Sequence, residues 1–168
     1  MIRESVERLL HKSPVTGRRA GDVPIPTSPV LAPAARQLSV LVVEDDASLL
    51  RLYQARIASW PMASQVVVAD NAFAALLIMG RTCPDLLITD LRMPGIDGFV
   101  MLSALQKAPE AANTRIVVVT GMDKPEINAR GGLPLGMEVL GKPIPFDRLQ
   151  QIAVEVVASW QLPSQSGH

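Results

Sequence analysis

The stretch Ser-Val-Leu-Val-Val-Glu-Asp-Asp, residues 39–46, decides how this chain folds. Its first five residues, Ser39–Val43, form a nearly continuous apolar run, which is typical of a parallel strand buried on both faces. Three acids, Glu44, Asp45 and Asp46, follow without a break. In open parallel sheets, ligands bind beyond the carboxyl ends of the strands, so these acids are the first candidates for a functional site.

Four further strand–helix repeats follow this first strand and its helix. Strands are predicted at Gln65–Ala69, Leu86–Thr89, Arg115–Val119 and around Val139-Leu140, and helices at Ala47–Ser59, Asn71–Gly80, Gly98–Lys107, Lys124–Arg130 and Pro145–Trp160. Because the links between these elements are short, the pattern favours an α/β fold with a parallel sheet and helices on both faces. The fourth helix is expected to be short or irregular, since Pro125, Gly131, Gly132 and Pro134 lie in or just after it.

The first 36 residues differ in composition from the rest. They contain Pro14, Pro24, Pro26, Pro29 and Pro33, and their six Lys/Arg against three Asp/Glu make them net +3 in a chain that is neutral as a whole. Proline disfavours regular structure, so we predict a flexible Pro-rich N-terminal extension at 1–36, one domain at 37–161 and a short C-terminal tail at 162–168. The extension is either a docking arm for a partner or a leader without a specific role, and the sequence leaves both open.

Composition argues against several classes of protein. Hydrophobic residues make up 48% and charged residues 19%, which is typical of a globular domain. The zero net charge provides no general attraction to nucleic acid or anionic lipid. One cysteine, Cys83, cannot form an internal disulfide, and no apolar stretch approaches the length of a membrane span. We therefore expect a soluble cytoplasmic protein without direct nucleic-acid or membrane partners.

The residues that follow the predicted strands form a candidate site. Glu44 and Asp45 follow the first strand, Asp90 the third, Thr120 the fourth and Lys142 the fifth. Carboxylates brought close together either raise a pKa or bind a cation, and oxygen ligands favour a hard cation such as Mg²⁺. A Mg²⁺ site with a carboxylate and a nearby lysine is suited to phosphoryl transfer onto an acid side chain.

Four motifs carry a family resemblance over the span from Leu38 to about Trp160. They read Val-Val-Glu-Asp-Asp at 42–46, Asp-Leu-Arg-Met-Pro-Gly-Ile-Asp-Gly at 90–98, Val-Val-Thr-Gly at 118–121 and Gly-Lys-Pro at 141–143. In order and spacing they resemble the receiver domain of bacterial two-component response regulators. The resemblance implies a flavodoxin-like, doubly wound α/β fold with a five-stranded parallel sheet in the order 2-1-3-4-5 and helices on both faces.

The same resemblance implies a role for each site residue. Asp90 is the expected nucleophile and takes the phosphoryl group. Asp45 is the expected direct Mg²⁺ ligand, Glu44 binds the ion directly or through water, and Asp90 and the backbone carbonyl of Arg92 complete the metal set. The neighbouring Asp46 is interpreted as a helix cap instead.

Two further residues are expected to act on the phosphoryl group. Lys142 is expected to pair with its oxygens and balance charge during transfer, and Thr120 to donate its hydroxyl once the group is present. The family pattern also predicts a cis peptide bond between Lys142 and Pro143.

The function implied is that of a single-domain response regulator. It would accept a phosphoryl group from a sensor histidine kinase or a histidine phosphotransfer protein and signal by binding a downstream protein target, with a homodimer as one open possibility. It would not be an enzyme beyond catalysing its own phosphorylation and dephosphorylation. Output would follow a population shift of the face formed by the fourth helix, the fifth strand and the fifth helix.

Two alternatives remain open at this stage. A phosphorylation-independent interaction module is favoured by Val139, which stands where the family often has an aromatic switch residue, and by the irregular fourth helix. A hydrolytic enzyme that passes through an aspartyl phosphate is disfavoured, because Arg92 occupies the position two residues after the nucleophile where such enzymes usually need an acid.

Overall fold

The structure is a computed structural model that describes residues 36–62 and 64–161. The predicted flexible extension, apart from Arg36, and the predicted tail at 162–168 lie outside the described residues. Arg36 itself contacts the domain: its guanidinium pairs with Asp85 and lies 3.9 Å from the centroid of the Trp160 ring.

Strands and helices alternate along the described part of the chain. The strands are β1 (Leu38–Val43), β2 (Ser64–Ala69), β3 (Leu86–Thr89), β4 (Arg115–Thr120) and β5 (Glu138–Gly141). The α-helices are α1 (Ala47–Ala58), α2 (Ala72–Thr82), α3 (Gly98–Gln106), α4 (Lys124–Ala129) and α5 (Phe146–Ser159), with a 3₁₀ turn at Pro109–Ala111. Each predicted element is present, and its ends agree with the prediction to within two residues.

The strands form one parallel sheet in the order β2-β1-β3-β4-β5, which confirms the predicted fold class and strand order. The ladder continues one step past the strand ends. The backbone N–H of Asp90 donates to the carbonyl of Val43 at 3.1 Å, and that of Lys142 donates to the carbonyl of Thr120 at 2.9 Å. This register brings the residues that follow β1, β3 and β5 to one edge of the sheet.

The core lies on both faces of the sheet, as the predicted double winding requires. Alternate residues of β1 point to opposite faces. Leu41 and Val43 pack in the cluster that includes α2, α3 and α4, whereas Val40 and Val42 pack in the cluster that includes α1 and α5. Because β1, β3 and most of β4 are buried, their side chains cannot bind a ligand, and only the strand ends remain available for one.

Side-chain caps start the helices that surround the site. Asp46 accepts hydrogen bonds from the backbone N–H groups of Ser48 at 2.7 Å and Leu49 at 3.0 Å, which confirms its interpretation as the cap of α1. Asp97 caps α3 in the same way through Phe99 at 3.0 Å. The six-residue α4 is as short as expected, and Gly131 and Gly132 after it have positive φ angles of 94° and 76°.

None of the helices within residues 36–62 and 64–161 combines the length and the hydropathy that a membrane crossing requires.

Candidate functional site

Asp90 lies directly beyond β3 and is only 6% exposed. Its Oδ1 accepts hydrogen bonds from the backbone N–H groups of Leu91 at 2.6 Å and Arg92 at 3.2 Å. Its Oδ2 accepts from Nζ of Lys142 at 2.7 Å. These three donors hold the carboxylate in one orientation at the carboxyl edge of the sheet.

Glu44 lies beside Asp90 at the end of β1 and is 3% exposed. Its Oε2 accepts a hydrogen bond from Nζ of Lys142 at 2.9 Å. Burial raises the pKa of Glu44, and the hydrogen bond and charge of Lys142 offset only part of that rise. The charge of Asp90 raises the pKa of Glu44 further, but this effect is the smallest of the causes. The raised pKa is therefore due mainly to burial and not to repulsion between the two carboxylates.

Lys142 joins the two carboxylates, and the peptide bond between Lys142 and Pro143 is cis, which confirms that prediction. Burial is the largest single effect and acts to lower the pKa of Lys142, but the hydrogen bonds and the charges of Asp90 and Glu44 together outweigh it, and the pKa is raised. The side chain therefore remains an ammonium ion at neutral pH. Because it is 26% exposed, it can also face a ligand that arrives from solvent.

Thr120 lies at the same edge, at the end of β4. Its side chain is fully buried at the end of β4, and Oγ1 accepts a hydrogen bond from the backbone N–H of Met122 at 3.3 Å. The hydroxyl is thus engaged with the loop after β4. Because the oxygen acts only as an acceptor in this contact, the O–H can still donate to another group, and the role of Thr120 toward a phosphoryl group stays a prediction.

Asp45 and Arg92 lie next to the buried acids in the chain and are exposed. Only the backbone N–H of Arg92 contacts Asp90, whereas its guanidinium pairs with Glu126 at 2.8 Å. The structure therefore brings Glu44, Asp90 and Lys142 into direct contact and leaves Asp45 and Arg92 at the margin of the site.

The donor chemistry of the site is compatible with Mg²⁺. Within the described residues, no three His, Cys, Asp or Glu side chains form a group that could hold a metal ion. Mg²⁺ does not require one, because it is usually bound by one or two carboxylates together with waters and phosphate oxygens. The exposed carboxylate of Asp45, the carboxylates of Glu44 and Asp90 and the carbonyl of Arg92 are oxygen donors of the kind that it prefers.

Two features of the site were missed by sequence reasoning. Gly98 packs against the backbone after Asp90, and a Cβ there would lie 2.9 Å from Cα and O of Leu91. Because Gly98 lies in the 90–98 motif, the sequence did contain a pattern from which its importance could have been predicted. No sequence pattern points to the ion pair between Arg92 and Glu126, because 34 residues separate the partners.

An apolar groove adjoins the site. It has a volume of about 310 Å³ and is lined by Leu49, Leu52, Lys142, Pro143, Ile144 and Phe146. A carboxylate held by a lysine partner is a group that can act as a nucleophile.

Comparison with known proteins agrees with this geometry. Residues 40–154 match the family described as the response regulator receiver domain. Protein-glutamate methylesterase/protein-glutamine glutaminase 5 of Myxococcus xanthus is 35% identical over 124 residues, which cover 72% of this chain and 35% of that protein. The virulence sensor protein BvgS of Bordetella pertussis is 32% identical over 135 residues, which cover 76% of this chain and 10% of BvgS. The chain thus spans about a third or less of the length of these curated relatives.

Solved structures show the same fold. The receiver domain of the Francisella response regulator 1452 matches with a TM-score of 0.63 and 25% identity, over 74% of this chain and 100% of that one. The signal receiver domain of a DNA-binding response regulator from Colwellia psychrerythraea matches with a TM-score of 0.62 and 25% identity, over 73% and 99% of the two chains.

Proposed function

Since the chain belongs to the response regulator receiver domain family, we propose that it accepts a phosphoryl group on Asp90. The donor is a histidine kinase or a histidine phosphotransfer protein, and the reaction depends on Mg²⁺. The observation that carries the proposal is the convergence of Glu44 and Asp90 on one ammonium group, that of Lys142. Such an arrangement places a carboxylate nucleophile beside a cation that can balance charge on incoming phosphoryl oxygens.

The proposed transfer is a simple displacement. A carboxylate oxygen of Asp90 bonds to phosphorus as the P–N bond of a phosphohistidine breaks, and the imidazole leaves with the electron pair and takes up a proton. The backbone N–H groups of Leu91 and Arg92 orient the carboxylate, and Lys142 pairs with the phosphoryl oxygens. When bound by Glu44, Asp45, Asp90 and the carbonyl of Arg92, Mg²⁺ supplies the positive charge that a phosphoryl oxygen needs.

The same site supports the return reaction. A water molecule that attacks phosphorus releases inorganic phosphate and restores the Asp90 carboxylate, with Lys142 again paired with the charged oxygens. The protein would thus be a signalling phosphoacceptor, and its own phosphorylation and dephosphorylation would be its chemistry.

The partners proposed are proteins. The apolar groove beside Lys142 offers a surface on which a phosphodonor can place a helix next to Asp90, since Leu52 on its rim is exposed. On the output side we propose binding to a downstream protein. Val139 in β5 is 43% exposed and lacks an aromatic ring, so Thr120 has to couple to the signalling face by another route. The cytoplasmic location and the homodimer stay predictions.

Intact-mass measurement after incubation with acetyl phosphate and Mg²⁺ tests the proposal. We expect a mass gain of one phosphoryl group, its loss in Asp90→Asn, and its dependence on the divalent ion. Asp97→Asn is the matched control, because Asp97 lies in the same loop and an asparagine can still cap α3. No mass gain with acetyl phosphate or phosphoramidate would favour a phosphorylation-independent interaction module instead.

A further inference from the structure

Arg92 contacts the acceptor carboxylate through its backbone, while its side chain pairs with Glu126. Its backbone N–H lies 3.2 Å from Oδ1 of Asp90, and its guanidinium is 2.8 Å from Oε1 of Glu126. Both side chains of this ion pair are exposed, Arg92 by 59% and Glu126 by 46%. An exposed pair of this kind is weak and can exchange partners at little cost.

Glu126 has a second task at the start of α4. Its Oε2 accepts a hydrogen bond from the backbone N–H of Asp123 at 3.0 Å, while Asp123 accepts one from the backbone N–H of Glu126 at 2.8 Å. This reciprocal capping box begins the helix. The carboxylate of Glu126 therefore caps α4 and also pairs with the side chain of Arg92.

We propose that Arg92 is a second cationic ligand of the phosphoryl group, after Lys142. Its guanidinium pairs with Glu126 until Asp90 is phosphorylated and then binds the phosphoryl group. The inference rests on the proposed function. An aspartyl phosphate has about two negative charges and several acceptor oxygens where the free carboxylate has one charge. A guanidinium binds such a group in two-point fashion and more strongly than it binds one exposed carboxylate. Phosphorylation thus draws Arg92 from Glu126 toward the site.

This exchange connects the site to α4 without an aromatic residue at position 139. When Arg92 leaves, the carboxylate of Glu126 keeps its bond to Asp123 and loses its link to the loop after β3. The other end of α4 remains attached, because Arg130 pairs with Asp97 at 3.2 Å and its guanidinium lies 5.7 Å from the ring centroid of Phe99. Phosphorylation therefore frees the amino-terminal end of α4 selectively.

The test is the affinity for beryllofluoride, a phosphoryl analogue, measured by calorimetric titration at saturating Mg²⁺. Glu126→Gln keeps the capping box, because glutamine caps as glutamate does, but removes the charge that holds Arg92. Since Glu126 and the phosphoryl group compete for Arg92, this variant should bind beryllofluoride about two- to fivefold more tightly, the range expected from one exposed ion pair. If the ion pair merely held the loop in shape, the variant would bind equally or more weakly.

Two comparisons assign the effect to Arg92. Asp97→Asn breaks the other exposed ion pair of α4 and should leave the beryllofluoride affinity unchanged. In the Arg92→Gln background, Glu126→Gln should bring no gain, because the residue for which it competes is absent. A gain that persists without Arg92, or no gain in Glu126→Gln, overturns the inference while the phosphoacceptor assignment stands. Failure of the native protein to bind beryllofluoride and to gain a phosphoryl group overturns both.

Discussion

Lys142 is the residue on which the electrostatics of the site depend. Its ammonium group contacts Oε2 of Glu44 and Oδ2 of Asp90, and both acids are almost completely buried. A buried carboxylate without a partner is costly, so this lysine has a structural role as well as the proposed catalytic one. The two roles can be separated, because only the catalytic one requires a phosphodonor.

We therefore expect Lys142→Met to lower both phosphorylation and stability. Removal of the cation leaves two buried carboxylates unpaired, which should reduce the free energy of unfolding by about 1–3 kcal/mol at pH 7, measured by urea denaturation. Lys142 lowers the pKa of Glu44, so this pKa should rise further in the variant. Glu44 then becomes neutral more readily as the pH falls. The loss of unfolding free energy should therefore shrink as the pH approaches 4.5, the ordinary pKa of this side chain.

Lys107→Met is the matched control, because Lys107 is an exposed residue at the end of α3. It should change the stability little. Equal stability of the Lys142→Met variant and the native protein would show that the two buried acids do not depend on Lys142 for their charge balance.

At the scale of elements, the start of α3 sets the position of the loop after the acceptor. Gly98 is the first residue of the helix and packs directly on the backbone of Leu91 and on the carbonyl of Asp90. Because the neighbouring atoms belong to backbone, they cannot rotate away from a larger side chain. The close approach of α3 therefore restrains the loop that supplies two donors to Asp90.

Gly98→Ala should destabilise the protein by about 1–3 kcal/mol and slow phosphorylation, because its Cβ would lie 2.9 Å from Cα and O of Leu91. Gly80→Ala provides the contrast. Gly80 lies within α2, and nothing beyond its chain neighbours and the backbone of its own helix lies within 4 Å of an added Cβ. Alanine is also the better helix former, so that variant should be up to about 1 kcal/mol more stable. Thermal unfolding and intact-mass time courses measure both effects. A Gly98→Ala variant as stable as Gly80→Ala would contradict the packing argument.

At the scale of the whole molecule, two groups with raised pKa values, Tyr53 and Lys142, shape how the stability of the protein responds to alkaline pH. Burial raises the pKa of Tyr53, which lies on α1 with its ring edge-on to Phe146 at a centroid distance of 5.5 Å. The pKa of Lys142 is also raised, through Asp90 and Glu44, despite burial. In both cases the folded state retains a proton that the unfolded chain releases near the ordinary pKa values of 10.0 for tyrosine and 10.5 for lysine.

The contribution of these two groups to the free energy of unfolding should therefore be fully present below about pH 9. It should decrease as the pH rises above their ordinary pKa values. Each group contributes a slope of up to about 1.4 kcal/mol per pH unit. Tyr53→Phe removes the tyrosine contribution and should flatten the dependence of the unfolding free energy on pH between 10 and 11. Urea denaturation at several pH values measures the slope. An unchanged slope would mean that the Tyr53 phenol ionises equally easily in the folded and unfolded states.

The sequence by itself determined the elements and the edge of the sheet at which the site lies. Apolar runs such as Ser39–Val43 and helical spacing act over a few residues, so the sheet and its helices could be predicted to within two residues at their ends. The resemblance of the motifs to the receiver family predicted Asp90 and Lys142 as site residues and the cis bond before Pro143, and that cis bond is present.

Only the tertiary structure decided which side chains meet at that edge. The bond of Lys142 to Glu44 joins residues 98 positions apart, and that of Arg92 to Glu126 joins residues 34 apart. Thr120 contacts Met122 rather than the acceptor. Such contacts depend on side-chain rotamers and on the packing of neighbouring elements. Alternative rotamers and ion-pair partners differ by only about 1 kcal/mol, and the contacts that result leave no periodic pattern in the sequence.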